Sequence, residues 1–232
     1  MDLQIKGRTA VVTGASRGIG AATVELLEAE GARVVGVSRA AGIDVTDPGA
    51  PVDILVNNAG TSYAKSLDEL TDEDWNGQWE LHVLASMRLM RAFAPGMAER
   101  GWGRIVNVAS SAGKRPSLTN AAYSVTKAAQ LSLSRVFADT YAAKGVLVNA
   151  VAPGAVASSL WMAEGGLADQ TAAARGVSRQ EAIEIQEGKV PVGRFASEEE
   201  IASVVAFLCS ERASIVAGAA WSVDGGTVAT IV

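Results

Sequence analysis

Short apolar runs alternate with amphipathic stretches of helical period along most of the 232 residues. The runs have the length and β-branched content of strands buried on both faces; they are TAVVTG, ARVVGVS, VDILVNN, RIVNVAS and VLVNAVAP. Helical patterns cover about 19–30, 75–100 and 122–143, and a helix at 198–209 and a strand at 219–223 follow. This alternation predicts βαβ units, hence an α/β fold with a doubly wound parallel sheet and helices on both faces.

The composition fits one globular domain over 1–232 and excludes several function classes. Hydrophobic residues make up 49% of the chain and charged residues 19%, which suits a well-buried core. The net charge is −5 and the basic residues are scattered, so we expect no nucleic-acid partner. No apolar run reaches about 18 residues and no secretion leader is visible, so we expect no membrane partner and a cytoplasmic location. The single cysteine, Cys209, lies in an apolar helix pattern and is interpreted as structural.

One connection is unusually short. Only fourteen residues, 39–52, separate the strand that ends at Ser38 from the next strand, which is too few for a strand with two full crossover helices. We expect a minimal third strand around 43–45. Asp53, just before ILVNN, is interpreted as a structural hydrogen-bonding residue.

A glycine-rich turn follows the first predicted strand. Gly14, Gly18 and Gly20 in TGASRGIG let the backbone approach a phosphate at the amino end of a helix, and this favours dinucleotide binding over a merely tight turn. The second strand ends in Ser38-Arg39 rather than in a carboxylate, and Arg17 lies within the turn. Two guanidinium groups suit a 2′-phosphate, so we expect NADP, with NAD possible. The alternative is that Arg39 is a solvated loop charge.

Tyr123 and Lys127 are spaced four apart in a helical pattern, thirteen residues after Ser110. A tyrosine has a pKa of about 10, so it needs a neighbouring cation to exchange protons near neutral pH. Lys127 lies one helical turn away and can supply that charge. The alternative is an exposed pair on a helix and a strand-end hydroxyl.

These motifs stand in register along the chain: the turn at 13–20, Asn57-Asn58-Ala59-Gly60, Ser110, the Tyr123/Lys127 pair and Pro153-Gly154. With them the chain resembles the short-chain dehydrogenase/reductase family from about residue 6 to its end. The segment from GRFASEEE to SVDGG is similar to the ketoacyl-reductase-like members. The resemblance implies a single-domain Rossmann fold and an oxidoreductase that uses a nicotinamide cofactor.

The resemblance also implies roles for individual residues. Tyr123 would be the general acid in reduction and the base in the reverse direction, Lys127 would lower its pKa and hold the nicotinamide ribose, and Ser110 would hydrogen-bond the substrate oxygen. Asp44 and Val45 would contact adenine, and Val156 and Ser158 the nicotinamide carboxamide. The full implied cofactor set is Gly14, Ser16, Arg17, Gly18, Ile19, Gly20, Ser38, Arg39, Asp44, Val45, Asn57, Ala59, Gly60, Tyr123, Lys127, Val156 and Ser158.

His82 marks a departure from the family. Many members carry an asparagine at this position, which completes a proton relay through water to the lysine. An imidazole can bind a relay water and can titrate near neutral pH, so the hypothesis is that His82 serves in the relay as a catalytic residue. The alternative is a helix-packing histidine.

The stretch of about 159–195 lies where the family places its substrate lid. Gly165-Gly166 can form a hinge, and its apolar lining would be Leu160, Trp161, Met162 and Leu167 unless a neighbouring subunit covers them. No arginine pair or metal-ligand cluster marks an anionic substrate, so we expect a hydrophobic ketone or secondary alcohol. A 3-ketoacyl-thioester reductase is the second reading, and a non-catalytic nucleotide-sensing protein the third. Apolar residues on more than one face of helices 75–100 and 122–143 predict oligomerisation. The resemblance implies that these helices form the subunit interfaces of a homotetramer.

Overall fold

The computed structural model describes residues 2–38 and 50–229. Within them, six parallel strands form one sheet in the order β2-β1-β3-β4-β5-β6. The strands are β1 Thr9–Thr13, β2 Arg33–Val37, β3 Ile54–Asn57, β4 Gly103–Val108, β5 Val146–Pro153 and β6 Ala220–Val223. The helices are α1 Gly18–Ala29, α2 Asp72–Trp79, α3 Ala85–Glu99, α4 Ala121–Tyr141, α5 Ser159–Met162, α6 Leu167–Arg175, α7 Arg179–Glu187 and α8 Glu198–Leu208.

The register of the sheet explains why its strands are apolar throughout. Val11, Leu55, Ile105 and Val148 form one row across four strands, and all four side chains are fully buried. They pack with α3 and α4, whereas the alternate residues of the same strands pack with α1 and α8. Both sheet faces are therefore covered, and the predicted doubly wound α/β fold is confirmed.

The long middle helix differs from its predicted form. It begins at α2, where the Thr71 hydroxyl accepts a hydrogen bond from the Asp74 backbone N–H and the Asp74 carboxylate accepts one from the Thr71 backbone N–H. A π-helical turn over Glu80–Leu84 then separates α2 from α3. A π-helical turn contains one residue more than a turn of α-helix, and such turns often mark functional sites. His82 lies within this turn.

The strand order reverses next to β1, because α1 leads to β2 on one side and β3 lies on the other. In a doubly wound sheet, ligands bind in the crevice at the carboxyl ends of the strands at such a switch point. The glycine turn follows β1 and the Asn57–Gly60 segment begins at the end of β3, so both lie at this edge. The strand predicted around 43–45 lies outside the described residues.

Candidate active site

The glycine turn after β1 has the backbone geometry of a cradle for an anionic group. Gly14 and Gly18 have φ angles of +68° and +66°, which only glycine adopts readily. A Cβ on Gly20 would lie 2.2 Å from the Gly14 carbonyl oxygen, so α1 approaches the turn too closely for any side chain. The sequence-based interpretation of these three glycines therefore agrees with the space around them.

Asn58 ties this cradle to the loop after β3. Its Nδ2 donates to the Thr13 carbonyl at 3.0 Å, and the Thr13 hydroxyl accepts from the backbone N–H groups of Asn58 and Ala59, both at 3.0 Å. The predicted site residues omitted both Asn58 and Thr13. Their side chains fix the relative position of the two loops that would flank a dinucleotide.

The amino terminus of α1 is open to an anion. Arg17 is its N-cap residue and makes no side-chain capping bond, and no acidic residue lies in the first turn. Ser16 and Arg17 are exposed, whereas Ile19 packs against the core. Unpaired N–H groups and the positive end of the helix dipole suit a phosphate, so the residues fit a dinucleotide.

The remaining predicted cofactor residues divide into three groups. Ser38 is half-buried at the end of β2, and Val156 and Ser158 follow the end of β5. The Asn57 side chain is buried; its Nδ2 donates to Asn107 Oδ1 at 2.8 Å, and its Oδ1 has no hydrogen-bond partner among the described residues. Arg39, Asp44 and Val45 lie outside the described residues.

Tyr123 and Ser110 meet at the start of α4. Ser110 follows β4, and its Oγ accepts a hydrogen bond from the Ala112 backbone in the short turn that packs on α4. Burial raises the pKa of Tyr123, and a hydrogen bond from Ser110 opposes that rise because it stabilises the phenolate. The lowering of the Tyr123 pKa by Lys127, which the resemblance implied, stays a prediction.

Lys127 is the buried cation of the site. It is 3% exposed, and its Nζ donates to the Val108 carbonyl at 2.8 Å and to Gln130 Oε1 at 3.0 Å. The ammonium lies 5.6 Å from the Tyr123 ring centroid. Burial lowers the pKa of Lys127 from 10.5 to about 7, because the buried ammonium loses its hydration. The predicted pairing of Tyr123 with a nearby amine is present in the structure.

His82 lies beside Tyr123 with both ring nitrogens bonded. Its ring meets the Tyr123 ring edge-on at 5.3 Å between centroids, and its Nε2 accepts from the Thr61 backbone N–H at 3.3 Å. Its Nδ1 lies 2.9 Å from the Thr126 hydroxyl, which itself donates to the Tyr123 carbonyl. The Thr126 oxygen must therefore accept, and His82 must carry its proton on Nδ1.

This environment corrects one sequence-based expectation. Burial, and secondarily the charge of Lys127, lower the pKa of His82 to about 2. The hypothesis that His82 titrates near neutral pH is therefore wrong. A second ring proton would lie on Nε2, where it would face the Thr61 N–H in a site that is shielded from solvent. The burial of the His82 side chain could not be predicted from the sequence, where a single histidine stands in a helical pattern.

A small cavity adjoins Tyr123. It has a volume of about 10 Å³, enough for about one water molecule, and is lined by Tyr63, Leu70, Gln78, Asn120, Ala122 and Tyr123. Gln78 is 3% exposed and its Oε1 has no hydrogen-bond partner in the structure. Gln78 was not among the predicted site residues, since a glutamine in an amphipathic helix is typical of the solvent face.

The predicted lid segment contains the three helices α5, α6 and α7. Its Trp161 packs edge-on against Phe195 with 5.1 Å between ring centroids. Gln170 of α6 accepts a hydrogen bond from the Ala64 backbone N–H at 2.8 Å, which ties the segment to the loop after β3. The lid segment therefore contacts the same edge of the sheet as the Tyr123 site.

Two absences concern the described residues alone. Across 2–38 and 50–229, no three or more His, Cys, Asp and Glu side chains gather into a metal-binding group. In the same part of the chain, no helix has the length and apolar character required to cross a membrane.

Comparison with known proteins identifies the family. Residues 43–228 match the family model described as enoyl-(acyl carrier protein) reductase. The 3-oxoacyl-[acyl-carrier-protein] reductase of Salmonella typhimurium is 34% identical over 254 residues, which cover 97% of this chain and 98% of that protein. The chain belongs to the short-chain dehydrogenase/reductase family. The resemblance found from the sequence motifs is confirmed, and with it the assignment as an oxidoreductase.

Other members of the short-chain dehydrogenase/reductase family extend the comparison. The L-xylulose reductase of Bos taurus is 34% identical, with coverage of 99% of this chain and 100% of that protein. The crystal structure of L-sorbose reductase from Gluconobacter frateurii, complexed with NADPH and L-sorbose, superposes with a TM-score of 0.88. It is 33% identical and each chain is covered completely. The Rossmann-type fold is thus shared over the full length.

Proposed function

We propose that the protein is an NADP-dependent reductase that interconverts a ketone and a secondary alcohol. The observation that carries the proposal is the arrangement of Tyr123, Ser110 and Lys127. Ser110 lowers the pKa of the Tyr123 hydroxyl against the rise that burial causes, and the buried Lys127 amine lies 5.6 Å from the Tyr123 ring centroid. A phenol between a hydrogen-bond donor and a buried amine is suited to proton transfer to a carbonyl oxygen.

In the proposed mechanism, each of the three residues has one task. When bound, NADPH supplies the hydride that reduces the carbonyl carbon. Tyr123 gives its hydroxyl proton to the carbonyl oxygen and is left as a phenolate. Ser110 donates a hydrogen bond to the charge that develops on that oxygen, and Lys127 in its protonated form stabilises the phenolate. Alcohol oxidation uses the same groups in reverse, with Tyr123 as the base.

The residues that would hold the cofactor favour NADP. The glycine turn and the open end of α1 would bind the pyrophosphate, and the exposed Arg17 can reach a further phosphate. The L-sorbose reductase complexed with NADPH supports this choice.

The substrate that we propose is a small ketone with a hydrophobic part. Trp161 and Phe195 provide an apolar contact within the proposed lid, 159–195. Near Tyr123, Gln78 and Asn120 add polar groups that can bind a substrate hydroxyl or its water. L-sorbose reductase and L-xylulose reductase make a hydroxylated ketone a natural member of any test panel.

A 3-ketoacyl-thioester reductase is the second candidate. The 34% identity to a 3-oxoacyl-[acyl-carrier-protein] reductase favours it. An acyl carrier would need a basic docking surface near the site. Lys114 of the adjacent basic pair is instead bonded to the Ala220 carbonyl at 2.6 Å and the Ser222 hydroxyl at 3.0 Å. Of that pair, the Arg115 side chain is therefore the one that supports docking of an acyl carrier.

We also propose a homotetramer. Large apolar side chains are exposed along the α2 and α4 side of the molecule, among them Trp79, Val125 and Val136. Exposed apolar groups of this kind are typical of subunit interfaces. Sedimentation at several protein concentrations would test the oligomeric state.

The proposed function is tested by initial rates of NADPH and NADH oxidation with apolar ketones, a ketose and an acetoacetyl thioester. Tyr123→Phe should abolish turnover and keep cofactor binding. Tyr141→Phe, the same change on the same helix away from the site, should leave both unchanged. Tight NADPH binding with no turnover of any ketone by the wild type would favour the nucleotide-sensing alternative. Equal rates for Tyr123→Phe and wild type would contradict the mechanism.

A further inference from the structure

A continuous row of side-chain hydrogen bonds leads away from Lys127 through Gln130 and Ser86. Lys127 Nζ donates to Gln130 Oε1 at 3.0 Å, and Gln130 Nε2 donates to Ser86 Oγ at 3.0 Å. Ser86 Oγ donates to the His82 carbonyl at 2.9 Å. Gln130 is 1% exposed and Ser86 5%, so this row is shielded from water.

The direction of each bond in the row is determined. Ser86 has one hydroxyl hydrogen, which goes to the His82 carbonyl, so its oxygen must accept from the Gln130 amide nitrogen. The amide is therefore oriented with its oxygen toward Lys127. The π-helical turn presents the His82 carbonyl to Ser86 at the other end.

The electrostatic surroundings of Lys127 contain few charged groups. Among the described residues, the titratable groups that face it are His82, which is neutral, and Tyr123 on its own helix. Strand β4 contributes the Val108 carbonyl, and the loop after β3 approaches through Gly60, which has no side chain. Among the described residues, the Gln130 amide is the side-chain acceptor that bonds the ammonium.

We propose that Gln130 is a positioning residue that holds the Lys127 ammonium beside Tyr123, with Ser86 orienting its amide. The inference rests on the proposed function, in which Lys127 stabilises the Tyr123 phenolate. The family resemblance led to the expectation of a relay water between the helix and the lysine. In this chain the His82 carbonyl accepts from Ser86, and Gln130 spans the distance to Lys127. The link from the lysine to the π turn is therefore made by side chains.

Two substitutions at Gln130 should move the Lys127 titration in opposite directions. Gln130→Glu places a carboxylate next to the ammonium and should raise the pH of its midpoint by about one unit or more. Gln130→Leu removes the acceptor at similar volume and should lower the midpoint. Gln4→Glu makes the same charge change at an exposed residue and should leave it unchanged.

Two readouts separate this inference from the proposed function. The first is the pH dependence of unfolding, measured for each variant with and without Lys127→Met, which reports the lysine titration without any substrate. The second is the pH profile of kcat for alcohol oxidation, which should shift in the same direction as the first.

Identical midpoints in wild type, Gln130→Glu and Gln130→Leu would overturn the inference, since a residue that only packs changes stability without moving the titration. If Gln130→Leu fails to fold, Ser86→Ala replaces it and should produce a smaller acid shift by releasing the amide. A shift in the unfolding data from an enzyme that turns over no ketone would uphold the role of Gln130 and reject the proposed function.

Discussion

Replacing Lys127 by methionine should change the stability of the protein in a pH-dependent way. In the folded protein, burial lowers the pKa of Lys127 from 10.5 to about 7, and the unfolded chain restores the ordinary value. Between these two pH values the unfolded state binds more protons than the folded state. The wild-type contribution of Lys127 to stability therefore rises with pH across this window and is least favourable below about pH 7.

The magnitude follows from the two pKa values. The difference between the folded and the unfolded pKa of Lys127 lowers the free energy of unfolding by about 5 kcal/mol at low pH, where the buried amine is charged. About 2 kcal/mol of this loss should disappear between about pH 7 and pH 9. Lys127→Met removes this contribution at all pH values. It also leaves the Val108 carbonyl and Gln130 Oε1 without a donor, at a cost of about 1–3 kcal/mol each that does not depend on pH.

Denaturant unfolding of wild type and Lys127→Met at several pH values between 6 and 10 measures this effect. The free energy of unfolding of the variant minus that of the wild type should fall by about 2 kcal/mol from about pH 7 to pH 9. Groups common to both proteins cancel in the difference. A difference that stays constant over this range would refute the reasoning, because it would mean that Lys127 keeps an ordinary pKa.

Three further predictions concern the cofactor cradle and His82. Arg17→Ser should weaken NADPH binding about tenfold or more and leave NADH binding unchanged in calorimetric titrations, because only NADPH carries the 2′-phosphate; equal losses for both would reject that contact. His82→Asn should leave the pH midpoints of kcat in place between pH 5 and 9, because a histidine with a pKa of about 2 is neutral throughout, and a shifted midpoint would restore the titrating relay. Gly20→Ala should abolish cofactor binding and lower Tm, since its Cβ would lie 2.2 Å from the Gly14 oxygen. The control Gly77→Ala meets nothing within 4 Å and should be neutral or stabilising.

The fold was predictable because burial on both faces gives parallel strands a distinctive pattern. The runs around Val11, Leu55, Ile105 and Val148 are continuous in apolar residues, and the structure places them in one buried row. The helical stretches at about 19–30, 75–100, 122–143 and 198–209 were predicted to within a few residues from their amphipathic period, whereas α5, α6 and α7 were not predicted as helices. The π-helical turn was not predicted, because a single inserted residue hardly disturbs a period of 3.6 over a helix of this length.

The site was predictable only in part. Ser110, Tyr123 and Lys127 were found through their fixed spacing, and the structure brings them together. Gln130 and Ser86 were missed because they are 44 residues apart and each lies on a different helix. Contacts between helices depend on how the helices pack, and no local pattern in the sequence reports such a pair.

The most direct test of the account follows the hydride and the proton together. NADPH that carries deuterium at both C4 positions should be supplied with the best ketone of the panel, and the alcohol product analysed by mass spectrometry for wild type and Tyr123→Phe. The account predicts one deuterium at the carbinol carbon of the wild-type product and no product from the variant at unchanged NADPH affinity. An alcohol without deuterium, or undiminished product from Tyr123→Phe, would contradict it.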